Sequence, residues 1–249
     1  MFIEERGRGA AVVLLHGVLG YVGAFDGLVQ ALAPSRRVLV LEMPGYGRSA
    51  PLEGKYDFAR VNTMLEDALL ARGVRECAVV AHSAGAYRAL LLTLGRRVEV
   101  THLVTLGGVA GFDAPVRAAF HGLAQQLRDG LDMKAMILDL VTAPGFAARN
   151  PEDARAIVAA VAAARMDVVA AEYDAIADAE DLRPRLHDLP CGVTARVGAM
   201  DKATPVEWSA DIVKRAPNAV LQVVEGVAHC LLQEDGAATI ASVKMAIGA

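Results

Sequence analysis

Cysteine is scarce in this chain. Of 249 residues only 3 are Cys, at 77, 191 and 230, an odd number without metal-ligand spacing. That argues against a disulfide framework and for reduced thiols in a cytoplasmic protein. Basic charge is short as well: 25 Lys and Arg face 29 Asp and Glu, for a formal net charge of −4. Neither a nucleic acid nor an anionic membrane surface finds the patch it would need. No apolar run approaches the roughly 18 residues of a membrane span, the longest being the Ala-rich stretch from Ile157 to Ala164. The opening Met1 to Arg8 is charged and has no apolar core, so no signal peptide is expected. Repeats and low-complexity tracts are missing, apart from a bias to Ala. With 54% apolar and 22% charged residues, disorder is excluded, and one large domain fits the length.

What is present is an alternation. Continuous apolar runs, Ala10 to Leu15, Val38 to Leu41, Val79 to Ala81 and Val100 to Leu106, read as parallel strands buried on both faces. Helical segments separate them: about Ala24 to Leu32, a long one capped by Asp57 and running to Gly73, and Tyr87 to Leu94. The pattern predicts an α/β fold with a mostly parallel, doubly wound sheet and helices on both faces. Between about residues 111 and 183 the strands vanish. Ala-rich helices take their place around Val116 to Leu127, Met133 to Val141, Asp153 to Ala164 and Val168 to Ala177. Past Pro184 the alternation resumes, with strands at Val193 to Val197 and Val220 to Val224 and helices at about Pro205 to Arg215 and Ala237 to Ala246. The organisation expected is a core of residues 1–110 and 184–249 with an inserted helical cap at 111–183.

The segment Val79-Val80-Ala81-His82-Ser83-Ala84-Gly85 is strand, sharp turn, helix. A serine at such a turn stands in strained backbone above the carboxyl end of its strand, and tolerates only small residues two before and two after it. Those are Ala81 and Gly85, a small-for-small variant of the G-x-S-x-G elbow. Ser83, Asp201 and His229 each follow an apolar strand, in the order nucleophile, acid, base. A serine hydroxyl is a poor nucleophile until an imidazole takes its proton and a carboxylate holds that imidazole. Among six histidines only His229 follows a terminal strand. Asp113 is the rival acid, but Asp201 lies just past a strand in a Gly-x-x-Asp setting. The amides of Val18, after His16-Gly17, and of Ala84, at a helix N-terminus, are the candidate oxyanion donors. Cys230 follows His229, yet neighbours in a loop usually point apart, and filling space is its expected role.

Together, His16-Gly17, Glu42 to Ser49, Ala81 to Gly85, Gly198 to Pro205 and Gly226 to His229 resemble the motifs of the α/β-hydrolase family, in its compact bacterial esterase and lactonase-like form. The resemblance spans the chain apart from the helical insertion, which is similar to that family's variable cap. It implies Ser83 as nucleophile, Asp201 as acid, His229 as base, and Val18 and Ala84 as oxyanion donors. Glu42 stands where relatives usually carry Asp. The segment before Ala10 is too short for the usual opening hairpin, so one or two first strands are expected to be missing. The implied activity is hydrolysis of a small or medium, mostly apolar carboxylic ester, thioester or lactone through an acyl-enzyme. No metal and no organic cofactor are called for. The same triad also serves C–C bond hydrolases, acyltransferases and perhydrolases, and a receptor-type protein with little turnover is the alternative of another class. A small-molecule acyl substrate is the expected partner of a monomer or homodimer, with no nucleic acid and no membrane. His16, Phe112, Met136 and Phe146 are expected to line the substrate pocket.

Overall fold

The computed structural model describes residues 1–20 and 22–249. Its centre is a seven-stranded sheet ordered β1-β3-β2-β4-β5-β6-β7. The strands are β1 (Phe2–Arg6), β2 (Ala11–Leu15), β3 (Arg37–Glu42), β4 (Glu76–His82), β5 (Glu99–Leu106), β6 (Gly192–Gly198) and β7 (Ala219–Val224). All neighbours are parallel except β1, which runs antiparallel to β3 with Ile3 opposite Leu41. The opening segment is too short for a hairpin, but it does supply this one strand. It sits at the sheet edge, where the charged Glu4, Glu5 and Arg6 can face water.

Successive residues of a strand point to opposite faces, and both faces are buried. Val13, Leu15, Leu39, Leu41 and Val79 belong to one apolar cluster. Val12, Leu14, Val38, Val40 and Val80 belong to the other. Helix α1 (Asp26–Leu32) and, after the short α10 (Leu231–Glu234), helix α11 (Gly236–Ala246) cover the second face through Leu28, Leu32 and Val243. Helices α2 (Phe58–Ala71), α3 (Ala84–Gly95) and α9 (Val206–Arg215) cover the first through Leu65, Leu90 and Ile212. As the sequence indicates, Asp57 caps α2, its carboxylate accepting the Arg60 amide at 2.8 Å. Glu42 is buried at the end of β3 and accepts Nε and Nη2 of Arg48 at 3.0 and 2.6 Å. It thereby braces the Pro44 to Gly47 turn.

Between β5 and β6 the chain is helical: α4 (Ala114–Arg128), α5 (Ile137–Val141), α6 (Phe146–Arg149), α7 (Pro151–Ala163) and α8 (Met166–Asp178). The segment expected as one helix from Met133 to Val141 is instead a 3₁₀ turn, Met133–Ala135, followed by the short α5. Helix α8 is moored to the core by an ion pair. Glu172 meets Arg88 of α3 with both side chains fully buried, and the Tyr46 hydroxyl also donates to Glu172. Guanidinium Nη1 of Arg88 reaches the His16 carbonyl and Nη2 the Tyr56 hydroxyl, each at 3.4 Å. No helix of the described residues is long and apolar enough to cross a membrane.

Candidate active site

Ser83 sits between β4 and α3 with φ 56° and ψ −126°, in the left-handed half of backbone space. A β-carbon is costly there, so the conformation persists only because its surroundings hold it. The Ser83 amide donates to the Leu106 carbonyl at 2.9 Å and its carbonyl accepts the Ala86 amide at 2.8 Å. The glycines explain the tightness of the turn. A Cβ on Gly85 would collide with the carbonyls of Leu15 and His16, and one on Gly17 would stand 2.7 Å from Ser83 Cβ.

His229 and Asp201 meet across the ends of β6 and β7. His229 Nδ1 donates to Asp201 Oδ2 at 2.8 Å, and both side chains are buried. The Asp201 carboxylate also accepts the amides of Ala203 and Thr204 at 2.9 and 2.8 Å and the Thr204 hydroxyl at 2.8 Å. Burial works against its charge, but His229 and these donors outweigh burial and hold the carboxyl below its usual value. Thr204 Oγ1 lies 3.1 Å from His229 Nδ1, so one hydroxyl touches both members of the pair. Gly107, just past β5 at φ 63°, presses on them from the other side. A Cβ there would fall 2.6 Å from Thr204 Oγ1 and 3.2 Å from His229 Nδ1. Thr204 and Gly107 escaped the sequence reading; the only signal was their place in loops that follow strands.

The loop bearing His229 is held by the helical insertion. The amides of His229 and Cys230 both donate to the Val141 carbonyl at 3.1 Å. Glu234 accepts the amides of Ala143, Ala228 and Cys230 at 2.8, 3.1 and 3.2 Å. The His82 ring lies 4.4 Å from that of His229 and donates from Nε2 to the His229 carbonyl at 3.0 Å. Burial, with His229 close by, pushes the His82 imidazole down to about 3, so it is neutral.

Ser83, His229, Val18 and Ala84 share the wall of a cavity of about 130 Å³ between the sheet and the helical insertion. The amides of Val18 and Ala84 have no hydrogen-bond partner among the described residues. Aromatic rings dominate one side: Phe112 lies edge-on to Trp208 at 5.2 Å and to Phe120 at 5.0 Å, and Phe120 stacks on Tyr173 at 5.7 Å. Phe112 thus lines the cavity. Met136 and Phe146 do not. Met136 is 43% exposed at the turn before α5, and Phe146 is buried in the apolar core away from the cavity wall. His16 is also behind the wall. It donates from Nδ1 to the Gly17 carbonyl at 2.7 Å and accepts the Met43 amide at Nε2 at 2.9 Å. Burial and the nearby Arg88 hold it down to about 4, and this neutral ring fixes the Gly17-Val18 loop from beneath.

Asp113, the rival acid, has a side chain 73% exposed and pairs with Arg183 at 2.8 Å. Cys230 faces the cavity, but burial and the nearby Glu234 push its thiol up, away from the reactive thiolate. No three His, Cys, Asp or Glu side chains of the described residues gather as metal ligands.

Comparison with known proteins bears on the family and the fold. A family profile described as the alpha/beta hydrolase family matches residues 12–242. The chain belongs to the α/β hydrolase family. A relative from Caulobacter vibrioides named "Putative carbamate hydrolase RutD" is 30% identical over 227 residues, 89% of this chain and 84% of its own. Among solved structures, a thermophilic esterase from Thermogutta terrifontis superposes with a TM-score of 0.90 at 20% identity, over 98% of this chain and 91% of the esterase. The enol-lactonase of Burkholderia xenovorans gives 0.88 at 17% identity, over 100% and 96%. At those identities the likeness establishes the fold, a mostly parallel sheet flanked by helices. Family membership makes this chain a hydrolase enzyme.

Proposed function

We propose that this hydrolase cleaves a small, mostly apolar carboxylic ester, thioester or lactone through an acyl-enzyme formed on Ser83. In this reading His229 takes the Ser83 proton as the hydroxyl attacks the carbonyl. It then returns that proton to the departing alcohol or thiol. Asp201 keeps the imidazole in the tautomer whose Nε2 is free and stabilises its cation. The amides of Val18 and Ala84 receive the oxyanion, the latter aided by the N-terminal end of α3. Water then enters, gives its proton to His229 and attacks the acyl-enzyme, releasing the acid and restoring Ser83.

The observation that carries the proposal is the buried, hydrogen-bonded Asp201–His229 pair, whose His229 lies on the wall of an apolar cavity that also holds the strained Ser83. The size of the cavity favours a small acyl group, since an engineered cavity of about 150 Å³ holds one benzene. Its aromatic lining favours an apolar one. We include in the same reading a cap, residues 111–183, that closes over the substrate, and a cytoplasmic setting consistent with three free buried thiols. The name of the Caulobacter relative adds carbamates to the substrates worth testing, because a carbamate presents the same carbonyl to Ser83.

A fluorophosphonate probe reacts with an activated serine and tests the assignment directly. Labelling should appear in the native protein and vanish in Ser83→Ala, with p-nitrophenyl ester or lactone turnover falling about a thousandfold or more. Unchanged turnover in Ser83→Ala would remove the nucleophile, and labelling without turnover of any ester, lactone or carbamate would favour a receptor-type protein.

A further inference from the structure

We propose that the aromatic pair Phe58 and Tyr87 is the wall that limits the length of the acyl group the site accepts. The proposal rests on the hydrolase reading above and names a specificity determinant within it.

A second hollow of about 190 Å³ lies beside the catalytic cavity, between α2, α3 and the end of α8. Phe58, Tyr87 and Ala179 line both spaces. The two rings meet edge-on at 5.1 Å and are buried, at 5% and 3% exposure. They are held from several directions. The Tyr87 hydroxyl donates to the Glu180 carbonyl at 2.7 Å, and the Arg88 guanidinium stands over the Phe58 ring, 4.9 Å from its centroid. Phe58 is also the first residue of α2, directly after the Asp57 cap. A ring fixed on this many sides is a partition rather than a swinging gate.

Beyond the partition, Ala59, Leu91 and Ala175 give the hollow apolar surface, while Lys55 and Asp178 form an exposed ion pair at 2.7 Å on its rim. Apolar walls opening past a charged rim suit an alkyl chain whose far end approaches water. With the partition in place, the catalytic cavity of about 130 Å³ takes an acyl group of about four to six carbons, roughly the size of the ring that a 150 Å³ cavity holds. Removing the Phe58 ring joins the two spaces. Each methylene then moved out of water is worth about fourfold in kcat/KM. Two or three of them raise the preference for a longer ester by about fifteenfold to sixtyfold.

The test is kcat/KM on p-nitrophenyl esters from acetate to decanoate for the native enzyme, Phe58→Leu and Phe58→Ala, with melting temperature and fluorophosphonate labelling of Ser83 recorded for each. The native enzyme should favour butyrate over octanoate. The octanoate-to-butyrate ratio should rise about tenfold or more in Phe58→Ala, with Phe58→Leu between. If Phe58→Ala does not fold, the leucine variant, which keeps apolar bulk, gives the same reading on its own. Folded, labelled variants with the native ratio would overturn the proposal, and so would a native enzyme that already takes octanoate as well as butyrate. A native protein that neither labels nor turns over any ester removes the hydrolase reading and this proposal together, a result distinct from labelled variants with an unchanged ratio.

Discussion

Replacing Glu172 by Gln removes one charge from a pair that has no access to water. Arg88 and Glu172 are each 0% exposed. Arginine does not shed its proton to escape burial, so the guanidinium stays charged. Its other contacts are weak. Nη1 to His16 and Nη2 to Tyr56 are both long at 3.4 Å, and Nε has no partner among the described residues. Glu172 is therefore what balances the charge. Breaking a buried pair from one side costs about 3–5 kcal/mol, and Gln keeps a hydrogen bond, so the lower end, about 3 kcal/mol, is expected. Against a total of about 5–15 kcal/mol for a domain, that should move the urea midpoint visibly at unchanged slope. Trp208, the single tryptophan, gives a fluorescence signal to follow it. Arg165→Ala is the comparison: it breaks an exposed pair with Asp167, side chains 53% and 66% accessible, and should cost under about 1 kcal/mol. The double replacement Arg88→Met with Glu172→Leu should recover much of the loss, since it leaves no charge stranded. If Glu172→Gln costs no more than Arg165→Ala, the burial reasoning is wrong.

Asp201→Asn should leave folding intact and lower kcat by about ten-thousandfold, because the amide favours the wrong imidazole tautomer; Asp113→Asn, at its exposed pair with Arg183, should change little. A fully active Asp201→Asn would move the acid role elsewhere. Acid should destabilise the fold through His16, whose imidazole is held down to about 4 in the native protein and returns to about 6.5 when unfolded. The unfolded chain takes that proton first, so stability is lost as pH falls from about 6.5 to 4, by about 3 kcal/mol. His16→Gln should make the pH dependence shallower by about one proton in that window, and an unaltered slope would exclude His16 as its source. Asp201 acts in a separate range: its carboxyl is held below the usual value, so its contribution is present above about 3.9 and is lost only as pH falls further.

The sheet was legible because strands buried on both faces read as unbroken apolar runs. Helices could be placed between them, and residues at the strand ends could be ordered as serine, aspartate and histidine. Strand β1 was missed for the converse reason: Phe2–Arg6 is short and charged, and its one inward residue, Ile3, makes no pattern. The pocket was harder to read. Helical spacing identifies an apolar face but not whether that face meets a cavity or another helix. Hence of the three apolar residues expected at the pocket, Phe112 lies on the cavity wall, while Met136 faces solvent and Phe146 is buried in the apolar core. Arg88 did carry a signal, as a lone charge in the apolar run Ala86 to Leu92. Its partner lies 84 residues away on α8, and no local pattern reaches that far. His16, expected at the pocket, lies behind its wall instead, and its bonds to Gly17 and Met43 give it a part in shaping the loop.

The Val141 carbonyl that accepts the amides of His229 and Cys230 has a consequence for engineering by exchange of parts. A helical segment between two strands of a parallel sheet invites transplantation, with residues 111–183 traded for those of another protein to import its selectivity. Here such a chimaera would sever two main-chain bonds on the very loop that carries His229, and would strip Glu234 of the Ala143 amide. The graft would misplace the imidazole even with every residue of the recipient scaffold intact. The workable seams therefore fall inside the insertion, with Ile137 to Ala143 kept as part of the recipient and exchange confined to the helices on either side.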